Sequence, residues 1–131
     1  MKGDEERVIR AFCRFMQEQG WTTKSEVDFV DVVAQKDGHR ILAEAKGRTA
    51  AIGLDVDTMF GQLLRRMPLE RPDPETRFAV VVPTEATAAV ERVPAWVRND
   101  LRIDLYVVDQ DGSVAKMPPD RPALADDRAA R

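Results

Sequence analysis

Hydrophobic residues along the chain recur at two spacings, one typical of helices and one typical of strands. Residues 4–19 predict an amphipathic helix that ends at Gly20, with an apolar stripe formed by Val8, Ile9, Phe12, Phe15 and Met16. A second helix is predicted from about Asp55 to Met67, with Asp55 or Asp57 near its N-cap and a stripe of Met59, Phe60, Leu63, Leu64 and Met67. Residues 85–100 predict a third helical region, interrupted near Pro94.

Strands are predicted at 21–24, 27–35, 39–46, 77–83, 103–109 and 114–117. The runs at 77–83 and 103–109 are almost continuously apolar, which is typical of strands buried on both faces and favours a right-handed parallel crossover between them. The order α-β-β-β-α-β-α-β, with a small terminal hairpin, predicts an α/β fold with a mixed central sheet and helices on both faces. Residues 1–117 are interpreted as one domain, and the proline- and charge-rich residues 118–131 as a flexible tail.

The most informative segment is a predicted hairpin in which Asp37-Gly38 forms a two-residue turn. With that turn, Asp31 lies directly opposite Glu44, and Lys46 shares a face with Glu44 because side chains alternate along a strand. Directly opposed like charges are destabilising. A divalent cation between the two carboxylates is the simplest reason to retain them, with the lysine as a further catalytic charge.

An alternative remains open for this trio of charged residues. One third of the chain is charged, at 33% Asp, Glu, Lys and Arg, so the trio could arise by chance on a solvated sheet face. A β-bulge near Asp31 would also change the pairing.

Composition sets limits on the class of protein. The length of 131 residues suits one domain. The single cysteine, Cys13, allows no intramolecular disulfide, which agrees with a reducing cytoplasm. No run of residues approaches membrane-spanning length, so no membrane association is expected. A net charge of -3 argues against a general nucleic-acid coat protein but allows a local basic groove.

The order of elements and the pattern Asp31…Glu44-Ala45-Lys46 resemble the PD-(D/E)XK nuclease superfamily, which has the restriction-endonuclease-like fold. Within it, archaeal Holliday-junction-resolvase-like and RecB-like nuclease domains look most similar. The resemblance covers about residues 4–110. Val30 departs from the proline in the family's name, at a position that many members relax.

Two further features agree with that resemblance. Family members often carry a glutamate on the first helix beside the metal, which implies Glu5, with Glu6 as the second choice; acids are also simply common at helix N-termini. The segment from Gly61 to Met67 resembles the RecB-type glutamine motif. Gln62 and Arg66 share one helix edge and could reach a phosphate, or they could form an ordinary solvated edge.

The resemblance implies a metal-dependent phosphodiesterase that hydrolyses nucleic acid, with DNA favoured over RNA and endonucleolytic over exonucleolytic cutting. Asp31, Glu44 and the Ala45 carbonyl would hold Mg²⁺ or Mn²⁺. Lys46 would orient or deprotonate the attacking water or neutralise charge on the phosphate, and Glu5 would orient the lysine or complete the metal shell. Phosphate contacts are expected from Gln62, Arg48, Arg65 and Arg66.

Other functions stay open at this point. The same fold could carry a non-catalytic nucleic-acid-binding or protein-interaction module, although the intact trio argues against a degenerate nuclease. Nucleases of this kind commonly form homodimers, and a partner protein could give the specificity. His39 is interpreted as an exposed turn residue, and Trp21 and Trp96 as core or interface anchors.

Overall fold

Six strands form one sheet in which the spatial order of the strands is the same as their order along the chain. The computed structural model describes residues 2–27 and 30–118. The strands are β1 (Thr22–Val27), β2 (Val30–Lys36), β3 (His39–Ala45), β4 (Thr76–Pro83), β5 (Ile103–Val108) and β6 (Val114–Lys116). Strands β3, β4 and β5 pair in parallel, and the other neighbours pair antiparallel. The predicted mixed sheet is therefore confirmed, and the architecture is compatible with a restriction-endonuclease-like fold.

The helices are α1 (Lys2–Glu18), α2 (Ile52–Arg65), a 3-10 turn (Thr84–Ala86), α3 (Thr87–Glu91) and α4 (Ala95–Asp100). Pro94 is the N-cap residue of α4, as its interruption of the predicted helix indicated. The predicted start of α2 at an aspartate cap is wrong, because α2 already begins at Ile52 without a side-chain cap. Asp55 instead accepts a hydrogen bond from the Thr49 hydroxyl.

Each face of the sheet carries its own hydrophobic core. The α1-side core joins Val8, Phe12 and Met16 to sheet residues that include Val32, Ile41, Ala43, Val81 and Tyr106. The α2-side core joins Val56, Met59, Phe60 and Leu63 to sheet residues that include Val33, Leu42, Phe78, Val80 and Leu105. Strand alternation separates the two sets, so Glu44 follows Leu42 onto the α2 side.

Four peripheral residues test the sequence interpretation. Leu64, predicted in the core stripe of α2, is exposed, and Trp96, predicted as a core or interface anchor, is 63% exposed and so lies outside the core. Trp21 does pack against the α1-side core, and His39 is exposed at the turn, as predicted. In the described residues no helix is long and apolar enough to cross a membrane. The predicted flexible tail lies outside the described residues from position 119 onward.

A buried ion pair joins the central strands β4 and β5 at the ends where they begin. The Arg77 guanidinium donates two hydrogen bonds to the Asp104 carboxylate, from Nε at 2.9 Å and Nη2 at 2.8 Å. The Asp104 side chain is only 4% exposed, whereas that of Arg77 is 40% exposed. Sequence analysis missed this pair because residues 103–109 were interpreted as an almost continuously apolar strand buried on both faces.

The unequal burial of this pair predicts unequal costs of breaking it. Arg77→Met leaves a buried carboxylate without its main partner and should lower the free energy of unfolding by about 2–3 kcal/mol. Asp104→Asn leaves a cation that reaches water and should cost about 1 kcal/mol. Urea denaturation of both variants measures the difference, and equal costs would contradict this interpretation of the pair.

Candidate active site

The β2–β3 hairpin has the register that the sequence predicted. Lys36 pairs with His39, and Val32 pairs with Ala43. Asp37 and Gly38 both have positive φ angles, 50° and 82°, as the two-residue turn requires. Continued past Val32, this register places Asp31 opposite Glu44.

Asp31 and Glu44 are joined by reciprocal hydrogen bonds between side chain and backbone. The Asp31 amide donates to Glu44 Oε2 at 3.3 Å, and the Ala45 amide donates to Asp31 Oδ2 at 2.9 Å. Beyond them, the Lys46 amide donates to the Val81 carbonyl at 3.0 Å, which keeps Lys46 attached to the sheet. The backbone therefore fixes both carboxylates and the lysine at one end of the central strands.

Glu44 is the electrostatic centre of this site. Its side chain is 2% exposed, and its Oε1 forms an ion pair with Nη1 of Arg66, just past the end of α2. Burial and then the neighbouring Asp31 raise the pKa of Glu44 to about 7, against the opposing effects of the Asp31 amide and Arg66. Burial and the neighbouring carboxylate thus outweigh the compensation that Arg66 and the Asp31 amide provide.

Helix α1 contributes a third carboxylate. Burial, followed by the charge of Asp31, raises the pKa of Glu5, and the charge of Lys46 lowers it. Glu5 is half-buried, whereas Glu6 is exposed, so the structure brings Glu5 rather than Glu6 to the site. The charge of Glu26, a residue with a left-handed φ of 56°, also raises the pKa of Glu5, but to a smaller extent. The sequence did not indicate this interaction.

Gly47 allows α1 to approach the strand end closely. A Cβ atom at this position would lie 2.6 Å from the carbonyl carbon of Asp4 and closer still to the Glu5 amide nitrogen. Asp4 also accepts a hydrogen bond from the Arg48 amide, so it holds the segment after Lys46 against the helix. Sequence analysis assigned neither Gly47 nor Asp4 a role at this site; a glycine directly after the Glu-x-Lys motif was the available signal.

The predicted phosphate-binding residues lie at different distances from this centre. Arg66 contacts this centre directly, through its ion pair with Glu44. Gln62 lies half-buried one turn earlier, on α2. Arg65 is exposed on α2. Arg48 is exposed beside the site and forms an ion pair with Glu85 at 3.6 Å. The structure thus brings Asp31, Glu44, Lys46, Glu5 and Arg66 together and leaves the other arginines at the rim.

The donor set fits a hard divalent cation. Among residues 2–27 and 30–118, no three His, Cys, Asp or Glu side chains form a ready metal cluster. Asp31 and Glu44 nevertheless provide two adjacent carboxylates, and Ala45 provides a backbone carbonyl between Glu44 and Lys46. Mg²⁺ is commonly held by one or two carboxylates with water and substrate phosphate completing the shell. A cation would also offset the burial and the repulsion from Asp31 that together raise the pKa of Glu44.

Comparison with known proteins identifies similar folds. An XisH family protein from Nostoc punctiforme is 19% identical, and an fdxN element excision controlling factor protein from Anabaena variabilis is 17% identical. Each superposition has a TM-score of 0.59 and covers 86% of this chain and 99% of the other. No family model matches the chain, and no curated protein matches it significantly. At these identities the likeness establishes a shared fold alone.

Gly47 and Gly61 form a matched pair for testing the close approach of α1. Gly47→Ala forces backbone to move and should lower the free energy of unfolding by about 1–3 kcal/mol. Gly61 lies on the exposed side of α2, and an added Cβ meets nothing within 4 Å. Gly61→Ala should therefore stabilise the protein by about 0.5–1 kcal/mol. Urea denaturation measures both changes, and a stabilising Gly47→Ala would refute the close-approach argument.

The raised pKa of Glu44 predicts how stability depends on pH in metal-free protein. Because that pKa rises from 4.5 to about 7, the folded state retains a proton that the unfolded chain releases. The stabilisation is complete below the unfolded value and is lost as the pH rises through the folded value. The free energy of unfolding in EDTA should therefore fall between about pH 5 and pH 8, with Glu44 contributing on the order of 1–3 kcal/mol.

Glu44→Gln isolates this contribution, because glutamine resembles the protonated acid and does not titrate. The variant should lose less stability over the same pH range than the original protein. Glu70→Gln, at an exposed position between α2 and β4, is the matched control and should follow the original protein. Parallel curves for the original protein and Glu44→Gln would show that Glu44 does not titrate in this range.

Proposed function

We propose that this protein is a metal-dependent nuclease of the PD-(D/E)XK type that hydrolyses phosphodiester bonds, in DNA rather than RNA and within a strand rather than from its end. The observation that carries the proposal is the convergence of Asp31, buried Glu44 and Lys46 at one sheet end, with Glu5 arriving from α1. A structural role alone does not account for placing three carboxylates together at one sheet end, because like charges repel.

The residues divide the chemistry among them. Asp31 and Glu44, with the Ala45 carbonyl, would hold Mg²⁺ or Mn²⁺, which when bound polarises the scissile phosphate and acidifies water. The Lys46 ammonium orients the attacking water and balances the charge that develops on the phosphate. Among the described residues no hydrogen bond or ion pair engages that ammonium. It therefore remains available to substrate, with the charge of Glu5 beside it.

The surroundings of the site are consistent with a nucleic-acid backbone as ligand. Arg48, which follows β3, and Arg65, at the end of α2, are both exposed. There they can neutralise phosphates that flank the one that is cut. Such contacts give affinity without sequence specificity. A second copy of the chain would supply a second site for the other strand of a duplex, and a partner protein would supply specificity.

The likeness to the protein from Anabaena variabilis agrees with a nucleic-acid substrate. That protein is described as a factor controlling the excision of an element, and excising an element of nucleic acid breaks phosphodiester bonds. The shared fold makes this a pointer to the class of substrate, since fold alone does not determine function.

Cleavage of a labelled panel tests the proposal. The panel contains single-stranded DNA, duplex DNA, a four-way DNA junction and RNA, each incubated with Mg²⁺, Mn²⁺ or EDTA. We expect cleavage with either metal and none with EDTA. Lys46→Ala should slow it by about a hundredfold or more, because the charge opposite the developing phosphate charge is lost.

Lys36→Ala is the matched control for this experiment. Lys36 lies at the turn end of β2 and donates a hydrogen bond to the Gln19 carbonyl at 2.6 Å, so its loss should leave the cleavage rate essentially unchanged. Binding of nucleic acid without cleavage, unaffected by Lys46→Ala, would favour a non-catalytic binding module. Equal loss of cleavage in both lysine variants would point to a general loss of positive charge instead.

A further inference from the structure

The ion pair between Arg66 and Glu44 places a protein cation on a carboxylate that the proposed metal site requires. Both Glu44 oxygens already have donors, since Oε1 faces Arg66 Nη1 and Oε2 accepts from the Asp31 amide. The guanidinium and a divalent ion would therefore compete for the same carboxylate, because like charges repel strongly in a site this buried.

The two members of this pair differ in their freedom to move. The Glu44 side chain is buried and only 2% exposed, whereas the Arg66 side chain is 30% exposed. The Arg66 amide is fixed by the carbonyls of Gln62 and Leu63 at the end of α2, so only its long side chain need move. Arg66 can thus rotate toward solvent or a ligand while Glu44 stays in place.

Arg66 also has the chemistry to bind a phosphate. A guanidinium presents five N–H donors in a planar fork that suits phosphate oxygens. Among the described residues Glu44 is the only side chain with which Arg66 forms an ion pair. Releasing the arginine leaves Glu44 buried with Asp31 and uncompensated, which is unfavourable unless another cation takes its place.

We propose, on the basis of the nuclease function above, that Arg66 occupies Glu44 in the free protein and transfers to a substrate phosphate when a divalent ion takes over the carboxylate. The metal ion and the nucleic acid then bind with positive coupling: the phosphate removes the competitor of the metal, and the metal releases the arginine to the phosphate. By linkage, each ligand tightens the other by the same factor. In the free protein Arg66 therefore competes with the metal ion for Glu44 and weakens metal binding.

Titration with Mn²⁺ alone, followed by the electron paramagnetic resonance signal of the free ion, tests the first half of the proposal. Arg66→Gln should bind Mn²⁺ about tenfold more tightly than the original protein. Arg65→Gln removes the same charge from the neighbouring exposed position and should change the affinity by less than about twofold, because solvent screens that charge. Arg66→Met, which retains the aliphatic stem, replaces Arg66→Gln if the latter does not fold.

A second titration tests the coupling, in a Lys46→Ala background whose slowed cleavage leaves most of a short DNA duplex intact during the measurement. Adding the duplex should tighten Mn²⁺ binding, and this gain should shrink when Arg66→Gln is introduced. A role of Arg66 in merely holding Glu44 in position predicts the opposite result for metal alone, namely weaker Mn²⁺ binding in Arg66→Gln.

The outcomes separate this proposal from the proposed function. Equal or weaker Mn²⁺ binding by Arg66→Gln, together with metal-dependent cleavage by the original protein, overturns the role of Arg66 and leaves the nuclease intact. Mn²⁺ binding that is unchanged in Asp31→Asn overturns the metal site itself, and with it both proposals. Tighter binding in Arg66→Gln and Arg65→Gln alike overturns the specific competition at Glu44.

Discussion

Two carboxylates opposed across neighbouring strands are the constraint on which this structure depends. Asp31 and Glu44 lie at the end of a tight hairpin away from its turn, where Asp31 is half-buried and Glu44 is almost fully buried. The backbone offers each of them one amide, which partly compensates their charge. Arg66, just past the end of α2, adds one positive charge at Glu44, yet burial and then Asp31 still raise the pKa of Glu44.

The buried pair formed by Arg77 and Asp104 shows how the same fold treats a carboxylate with a structural role. Asp104 receives two well-aligned hydrogen bonds from a partner on the adjacent strand, and Lys116 lies 3.9 Å away. Cations outnumber anions there, so the charge is satisfied within the fold. Around Glu44 the balance is reversed: burial, then Asp31 and Glu5, raise its pKa against one backbone amide and one arginine. A surplus of buried negative charge is what a cation-dependent site requires and what a purely structural ion pair avoids.

The attachment of α1 to the sheet end that carries Asp31 and Glu44 depends on small, local features. The absence of a side chain at Gly47 and the hydrogen bond from the Arg48 amide to Asp4 bring the start of α1 against the end of β3. Glu5 then lies close enough to Asp31 and Lys46 for their charges to shift its pKa, although its own helix, α1, covers the other face of the sheet. The site therefore forms where the two cores meet at one sheet end, and it depends on both helices for its electrostatics.

The sequence by itself determined the elements whose signals are local. Alternating apolar residues and the Asp37-Gly38 turn define the hairpin register, because a strand's period of two and a turn's φ requirements act over a few residues. That register was enough to oppose Asp31 and Glu44. Local signals failed at the start of α2, which begins at Ile52 while Asp55 accepts a hydrogen bond from the Thr49 hydroxyl instead of capping the helix. Only the tertiary structure decided that Glu5 rather than Glu6 faces the lysine, that Gly47 permits this approach, and that Arg66 occupies Glu44. These contacts join residues far apart in the chain, and their geometry follows from how two helices pack on opposite faces of one sheet, which no local periodicity encodes.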